Sequence, residues 1–397
     1  MFITINNIIM KTAIIISAMI LASLIGCEEN KQSVDELITI DVTKSYPKKK
    51  LPLQDIFDIE YIQLDTNHIF TTMGYMQDIS ENMIIVRNLN RSSDGDIFIF
   101  DRKGNGLRKI NRQGSGAEEY RFLLRVTLDE ENKELFVVDH WSKKVYVYDL
   151  FGAFKRCFKF KDGTSYDRVF NLGKDHLICN DGSNGFNDEI KNTFFILSKQ
   201  DGSVLKEIHI PYDKKKTSII INKELNRATG PRNEEIIPFH DTWVLMEHSS
   251  DTIYRVFPDQ NIFPFIVRTP SIQSMETEIF LYPGVLTNRY CFMQTVKKEY
   301  DFATNMGLPR TDLMYDKKEN AIYECSIYNA DYTNEEIMSL GHGVTFINKE
   351  VSFVYKLEAP DLVEAYEGGE LQGHLKEIAA RLNEESNPVL MIAKYKK

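Results

Sequence analysis

The stretch that decides the fold is DIFIFDRKGNGLRKINRQGSGAEEY, residues 96–120. It begins with an apolar strand from Ile97 to Phe100, reverses at the turn Asp101–Gly104, and continues as a second short strand. Asp can accept hydrogen bonds from the turn backbone, and Gly takes a positive φ without steric cost. A Gly-rich loop, Gly114–Tyr120, ends the unit. This order of elements predicts half of a four-stranded sheet.

The same pattern recurs along the chain, where the turn Asp101–Gly104 returns as Asp149–Gly152 and, with one insertion, as Ser198–Gly202. Six sets of strands are predicted. They are 74–80, 83–88, 96–101, 107–110; 121–128, 134–139, 144–149, 154–160; 166–172, 176–180, 193–198, 204–210; 236–239, 243–247, 251–256, 262–267; 290–296, 312–316, 321–327; and 337–340, 344–347, 351–357. Short strands at this spacing are typical of β-propellers. The sequence therefore predicts an all-β fold, a six-bladed β-propeller.

The strand pattern is interrupted near the end of the chain. Residues 361–385 carry apolar side chains at helical spacing, with Gly368 and Gly369 expected to divide the helix. Asn387-Pro388 ends this insertion, and 389–395 resumes as a strand. The helical insertion is therefore predicted inside the last blade, covering one rim. An early strand, 59–64, is expected to pair with 389–395 and close the ring, because pairing the two chain ends removes free strand edges.

The N-terminus reads as a targeting segment. Lys11 precedes an apolar run, 12–25, which is too short for a membrane span and suits a signal peptide. The run ends in Leu24-Ile25-Gly26-Cys27, which resembles the lipobox of bacterial lipoproteins. That resemblance implies a signal peptide at 1–26 and a lipid on Cys27. A flexible tether is expected at 27–55, with a short strand at 37–42 inside it, before the propeller at 56–397. The alternative is a plain secretion signal with a chance Cys, and Met10 is an alternative start.

Composition excludes one class of partner. The 397 residues carry a net charge of −10, and nucleic-acid binding needs a basic surface. The runs Lys48–Lys50 and Lys214–Lys216 are interpreted as solvated loops. Four cysteines lie in apolar strand patterns at wide spacings, which favours buried thiols over a metal site, with one disulfide left open. They are Cys157, Cys179, Cys291 and Cys325.

Three motifs resemble a known family. They are the strand 59–65 (IEYIQLD) ahead of the first blade, the loop 114–120 and the ending 387–391 (NPVLM) after a helix. Together with the lipobox, they are similar to the six-bladed β-propeller lipoproteins of Bacteroidetes, which are distantly akin to NHL-repeat and TolB-type propellers. The loop departs from the family pattern, because Ala117 and Glu118 replace the usual Pro and Gly. The resemblance implies a protein on the outer membrane, at its periplasmic or cell-surface face, anchored in lipid through Cys27.

The loops of a propeller fall on two rims, and one rim gathers the candidate ligand-binding residues. These are Arg87, Glu119, Tyr120, His140, Trp141, Asn180, Asp181 and His248, with Asn88, Phe186 and Tyr300 nearby. Trp141 is either a stacking platform for a ligand or a packing residue between blades, and the second interpretation is slightly favoured. Glu118 and Glu119 are expected to bond the loop backbone and fix the blade junction.

No catalytic motif is present in the sequence. There is no G-x-S-x-G and no H-E-x-x-H, and no cofactor or metal is predicted. The favoured hypothesis is a non-catalytic propeller whose funnel binds a glycan, peptide or protein partner. The alternative is a hydrolase or lyase in which His140, His248 and His342 converge with acidic residues at the funnel, with or without a metal. A third hypothesis is a scaffold subunit of an outer-membrane complex.

Overall fold

A computed structural model describes residues 37–88, 94–183, 192–346 and 351–396. Three strands and a one-turn helix come first. They are β1 (Ile38–Asp41), β2 (Lys48–Pro52), α1 (Leu53–Ile56) and β3 (Phe57–Gln63). Blade 1 contains β4 (Tyr75–Ile79), β5 (Met83–Arg87), β6 (Asp96–Asp101) and β7 (Gly106–Asn111). Blade 2 contains β8 (Leu123–Asp129), β9 (Glu134–Asp139), β10 (Lys144–Asp149) and β11 (Phe154–Lys159). Blade 3 contains β12 (Tyr166–Leu172), β13 (His176–Asp181), β14 (Phe194–Ser198) and β15 (Val204–Ile208).

The second half of the ring is less regular. A hairpin, β16 (Ile220–Asn222) and β17 (Arg227–Thr229), precedes blade 4. Blade 4 contains β18 (Ile236–Phe239), β19 (Thr242–Leu245), β20 (Thr252–Val256) and β21 (Ile262–Thr269). Blade 5 contains β22 (Ile279–Leu286), β23 (Tyr290–Lys297), β26 (Arg310–Asp316) and β27 (Ala321–Tyr328), with a small hairpin, β24 (Tyr300–Asp301) and β25 (Met306–Gly307), between β23 and β26. Then come β28 (Ile337–Met338), β29 (Thr345–Phe346), β30 (Val351–Leu357), α2 (Ala359–Glu367), α3 (Gly373–Ala379) and β31 (Val389–Tyr395).

The predicted six-bladed propeller is confirmed. Each blade is a sheet. The innermost strand of blade 2 contacts those of blades 1 and 3, the innermost strands of blades 4 and 5 contact each other, and β30 of blade 6 contacts both β22 of blade 5 and β4 of blade 1. Apolar clusters fill the spaces between blades, so that both faces of each sheet are buried. One example is the cluster of Ile62, Met76, Ile84 and Leu390, which joins blade 6 to blade 1. Burial of apolar surface on both faces explains why a blade needs neighbours.

Ring closure follows the prediction. β3 pairs antiparallel with β31 along its whole length, from Phe57 opposite Tyr395 to Gln63 opposite Val389. Blade 6 therefore has the order β29-β30-β31-β3, with the earliest strand outermost. Asn387 joins this blade to the connector that leads into blade 1. Its Nδ2 donates to the Asp65 and Phe70 carbonyls, and its Oδ1 accepts from the Thr72 amide.

The structure corrects the prediction of a flexible tether within its described part. β1 adds a fifth, parallel strand to blade 4, and β2 adds a fifth, parallel strand to blade 5. Residues 38–63, which we call the strap, thus supply the outer strand of three consecutive blades. The run Lys48–Lys50, interpreted as a loop, is part of β2, where Lys49 pairs with Asp316 and Glu319. Lysines are common on edge strands because they discourage further pairing.

Two further differences concern blades 5 and 6. The innermost strand of blade 5, β22, was not predicted, because Pro283 and Gly284 interrupt its pattern. Pro is tolerated there because β22 is an edge strand, and its register shifts between Pro283 and Leu286. β28, predicted in the last blade, pairs instead with β27 of blade 5. The four cysteines at 157, 179, 291 and 325 are free thiols, so none of them is bridged.

The helical insertion lies inside blade 6, as predicted, between β30 and β31. α2 ends before Gly368, and Gly369 has a φ of +71° before α3 begins. Leu362, Leu375 and Ile378 are buried in the core of blades 4 to 6. Among the described residues, no helix is long and apolar enough to cross a membrane.

The two rims of the ring differ in their loops. Turns such as Asp101–Gly104 lie on one rim, the turn rim, together with the loops between first and second strands. There Asp101 Oδ1 accepts from the amides of Lys103 and Asn105, and Gly104 has a φ of +87°, as the turn motif predicted. The other rim, the connector rim, carries the blade-to-blade connectors and the loops between second and third strands.

Candidate functional site

Trp141 is an exposed aromatic side chain on the connector rim. It follows β9, and 68% of its surface is exposed. Its ring stacks on Phe122 in the connector from blade 1, with centroids 5.2 Å apart and planes 21° apart. One face of the Trp141 ring therefore packs on the connector into blade 2, while most of the side chain remains exposed, and we call this stacked pair of rings the aromatic platform.

Buried acids at the ends of second strands hold the loops around this platform. Asp139 accepts from the amides of Trp141, Ser142 and Arg121. Asp181 does the same in blade 3, where its Oδ1 accepts from the Ser165 amide. Asp181 is fully buried, so this predicted ligand-binding residue fixes the junction between blades 2 and 3.

The loop at 114–120 is also structural. Tyr120 is fully buried, its hydroxyl donates to the Gly95 carbonyl at 2.5 Å, and it accepts from the Arg112 amide. The carboxylate of Glu119 accepts from the Gly116 amide, as expected for a residue that fixes the loop. Tyr120 therefore offers no surface to a ligand, and Glu119 stabilises the blade connector.

Arg87 ends β5 and points towards the ring axis. It is 8% exposed, and its pKa is lowered to about 10 by burial and by the positive charge of Arg168, two blades away. Its Nη1 donates to the Asn88 carbonyl, but its Nε has no hydrogen-bond partner among the described residues. Arg168 itself forms a two-point ion pair with Glu234, with both N–O distances 2.5 Å.

Glu235 and His248 form a recessed polar pair near the start of blade 4. His248 Nδ1 lies 3.5 Å from Glu235 Oε1, and His248 Nε2 lies 3.0 Å from the Tyr282 hydroxyl and 3.1 Å from Ser218 Oγ. Burial raises the pKa of Glu235 to about 8, with a further contribution from the nearby charge of Glu247. Burial lowers the pKa of His248. Both groups are consequently poised to be neutral near neutral pH.

The other predicted residues adjoin this pair. Asn180 Oδ1 accepts from the Arg168 amide, and Asn180 Nδ2 lies 3.4 Å from Glu235 Oε2. His140 is exposed, and its Nδ1 lies 3.1 Å from Ser165 Oγ. Asp167, one strand position before Arg168, has its pKa raised to about 6 by burial and by Glu234. These contacts bring Asn180, Arg168 and Glu235 into one polar cluster.

The three histidines considered for catalysis have separate neighbours. His342 lies against Gln294 and Ser339, at 2.8 and 3.0 Å from its Nδ1. Among the described residues it shares no hydrogen-bond partner with His140 or His248. Within the described ranges, no three His, Cys, Asp or Glu side chains are placed to hold a metal ion. Tyr300 lies in the small hairpin of blade 5, against Phe302. Cys27 and Phe186 lie outside the described residues.

Sequence reasoning missed the charged residues on and just before the innermost strands. They are Arg125, Asp167, Arg168, Glu234 and Glu235. In a propeller, these strands begin at the connector rim and line the axis. A charge inside an otherwise apolar strand, as in LLRVTLD at 123–129, was the available signal.

Three cavities, of 580, 510 and 450 Å³, contain none of the predicted site residues, and the two larger ones open on the turn rim.

The closed ring of six blades with a polar funnel at its connector rim defines the protein as a six-bladed β-propeller. A family model described as 6-bladed beta-propeller (DUF5128) matches residues 28–356, and the chain belongs to this family. No curated protein matches the sequence significantly.

The chain is similar to several solved structures, of which the first named here, with a TM-score of 0.61, shares the fold. A protein from Bacteroides fragilis, inferred to be exported, is 17% identical, with a TM-score of 0.61 over 91% of this chain and 100% of that chain. A member of the DUF4221 family from Bacteroides vulgatus is 12% identical, with a TM-score of 0.45 over 86% of this chain and 98% of its own. Virginiamycin B lyase from Staphylococcus aureus is 10% identical, with a TM-score of 0.38 over 85% of this chain and 99% of its own. At these identities, the likeness concerns the fold alone.

Proposed function

We propose that the protein is an envelope lipoprotein whose connector rim binds a glycan. The observation that carries this proposal is the exposed Trp141 ring stacked on Phe122. Aromatic faces on loops around a concavity suit ligand binding. A flat aromatic face suits the apolar face of a sugar ring, and it is held rigidly because Asp139 fixes the loop backbone on which Trp141 stands.

The funnel beside this platform supplies polar groups for sugar hydroxyls. Asn180, Glu235 and His248 provide donors and acceptors that are recessed yet reachable, since 27% of the Glu235 side chain and 12% of the His248 side chain are exposed. A mostly pre-formed concave site with a few oriented polar groups is the usual form of a small-ligand site. Platform and funnel together therefore suit an oligosaccharide better than a single sugar.

A glycan array probed with the full chain in detergent tests this function. Binding to a defined set of oligosaccharides is expected, followed by a micromolar to millimolar Kd in calorimetry. An array that stays blank across neutral and charged polysaccharides would contradict it. A peptide or membrane-protein partner is the alternative occupant of the same face, and it would appear by co-purification from membranes.

Lipid anchoring rests on the sequence Leu24-Ile25-Gly26-Cys27. The description of the Bacteroides fragilis protein as inferred to be exported agrees with an envelope location. Metabolic labelling with an alkynyl fatty acid is expected to mark the wild-type chain and to leave the Cys27→Ala variant unmarked. Equal labelling of both chains would exclude Cys27 as the attachment site.

A second candidate function is glycan cleavage at the funnel. It is favoured by Glu235, which is poised to hold a proton near neutral pH, and by the adjoining His248 and Tyr282. A carboxylic acid with a raised pKa is suited to general acid–base catalysis. The test is incubation with each glycan that binds, followed by chromatography. Products formed by the wild type and absent with Glu235→Gln would establish cleavage, and an unchanged glycan would leave binding alone.

A further inference from the structure

Two arginines near the funnel mouth lack partners for part of their side chains. The Nε atoms of Arg87 and Arg125 are buried and make no hydrogen bond with any described residue. Arg125 also forms no ion pair within that part of the chain. Buried donors in native proteins are nearly always satisfied, so these two guanidinium groups have unused capacity for an acceptor.

Their positions place both arginines in one sector of the funnel. Arg125 is on β8, the innermost strand of blade 2, which contacts β4 of blade 1 and β12 of blade 3. Arg87 comes from blade 1, and it is close enough to Arg168 of blade 3 for their charges to interact. Blade 2 lies between those two blades, so Arg125 occupies the innermost strand of the intervening blade. Three arginines from three consecutive blades thus lie near the connector-rim end of one sector.

The nearby acids are already engaged or lie to one side. Asp94, the acid nearest Arg87, accepts from Asn88 Nδ2 at 2.6 Å and from the Asp96 amide. Glu234 is paired with Arg168. Asp167 and Glu235 belong to blades 3 and 4, and neither forms an ion pair with Arg87 or Arg125. Arg87 is thus partly offset by the charge of Asp94, whereas Arg125 has no acidic partner among the described residues.

We propose that Arg87 and Arg125 form a carboxylate-binding subsite and that the ligand is an acidic glycan containing uronic acid. The guanidinium group is planar and presents paired N–H donors that match a carboxylate. A uronate bound there would satisfy donors that the protein leaves unpaired, while a neighbouring sugar stacks on Trp141. This inference rests on the proposed glycan binding and specifies the class of glycan.

The test is calorimetry of the full chain in detergent with oligogalacturonate and with its methyl ester, which has the same sugar without the charge. The free acid is expected to bind at least 10-fold more tightly, and raised salt is expected to reduce that advantage. Arg125→Gln is expected to remove the advantage, and Arg125→Lys to retain part of it. Arg121→Gln is the matched control, because Arg121 is an exposed arginine on the same rim, and it should change the Kd less than 2-fold.

The outcomes separate this inference from the proposed function. Equal affinity for acid and ester, or an Arg125→Gln variant that folds and binds the acid like the wild type, would overturn the carboxylate subsite while leaving glycan binding in place. If sulfated neutral oligosaccharides bound more tightly than uronates, the two arginines would form a sulfate-binding site, and the carboxylate subsite would again be overturned. Absence of binding to every glycan would reject both proposals. Thermal melting of each variant distinguishes a lost contact from a lost fold.

Discussion

The Nδ1 atom of His248 lies 3.5 Å from Oε1 of Glu235, and both groups are shifted towards their neutral forms. The ordinary pKa of a Glu is 4.5, and that of Glu235 in the folded protein is about 8. The folded chain therefore keeps a proton that the unfolded chain releases. The contribution of this bound proton to the free energy of unfolding is fully present below pH 4.5 and is lost as the pH rises through about 8.

Replacing Glu235 by Gln is expected to remove this pH dependence. The variant should be more stable than the wild type at pH 9, by on the order of 1–3 kcal/mol, and close to it at pH 5. Solvent reaches part of the side chain, which reduces the effect. Urea denaturation at the two pH values measures it. Glu276→Gln, which changes an exposed acid, serves as the control. If Glu235→Gln differed from the wild type by the same free energy of unfolding at both pH values, the role of Glu235 would be contradicted.

Trp141→Ala is expected to weaken glycan binding about 10-fold, or about 1.4 kcal/mol, because exposed aromatic residues dominate many binding surfaces. Its melting temperature should hardly change, since most of the Trp141 surface is already in water. Phe151→Ala is the matched control, because Phe151 is 73% exposed on the turn rim. A glycan affinity that falls equally in both variants would argue against the Trp141 platform.

Gly104→Ala is expected to destabilise the ring by about 3 kcal/mol or more. A Cβ at this position would lie 2.0 Å from the Gln63 carbonyl oxygen, so the strain falls where blade 1 meets β3 of blade 6. Gly173→Ala is the control: Gly173 also has a positive φ, +66°, but its Cβ would meet nothing within 4 Å. The free energy of unfolding of Gly173→Ala should fall by only about 1–2 kcal/mol. Equal urea midpoints for the two variants would rule out the steric explanation.

Asn387→Ala is expected to cost about 3 kcal/mol, because it leaves two carbonyls and one amide of the 65–72 connector without their partner. Asn387 is 2% exposed, so water cannot readily replace these bonds. Asn383→Ala, at an exposed position before it, should cost no more than about 0.5 kcal/mol. Urea denaturation of both variants measures the difference, and a similar loss in each would show that Asn387 does not fasten the closure.

Much of the fold could be predicted because each blade repeats local signals. Strand alternation and the Asp–Gly turns located the four strands of blades 1 to 4, and the pairing of β3 with β31 followed from the need to close a ring. β22 escaped prediction since Pro283 is tolerated only on an edge strand, and a local pattern does not show which strands are edges. The partners of β1 and β2 were equally hidden, because alternation predicts a strand but not a distant neighbour.

The candidate site was less predictable than the fold. Rim residues could be named from loop positions, but burial separated Tyr120 and Asp181, which bond backbone, from Trp141, which is exposed. The charged residues of the innermost strands were missed since their importance depends on facing the axis. That orientation arises from the arrangement of six blades, and no single strand encodes it.

The strap sets an order of events during synthesis. Residues 38–63 are synthesised well before their partners, because β1 pairs with 266–269, β2 with 324–328 and β3 with 389–395. Contacts so distant along the chain form slowly. Until the C-terminus is available, the growing chain has an open edge at blade 1 and unpaired early strands. A chain in that condition exposes unpaired strands, which are prone to aggregation.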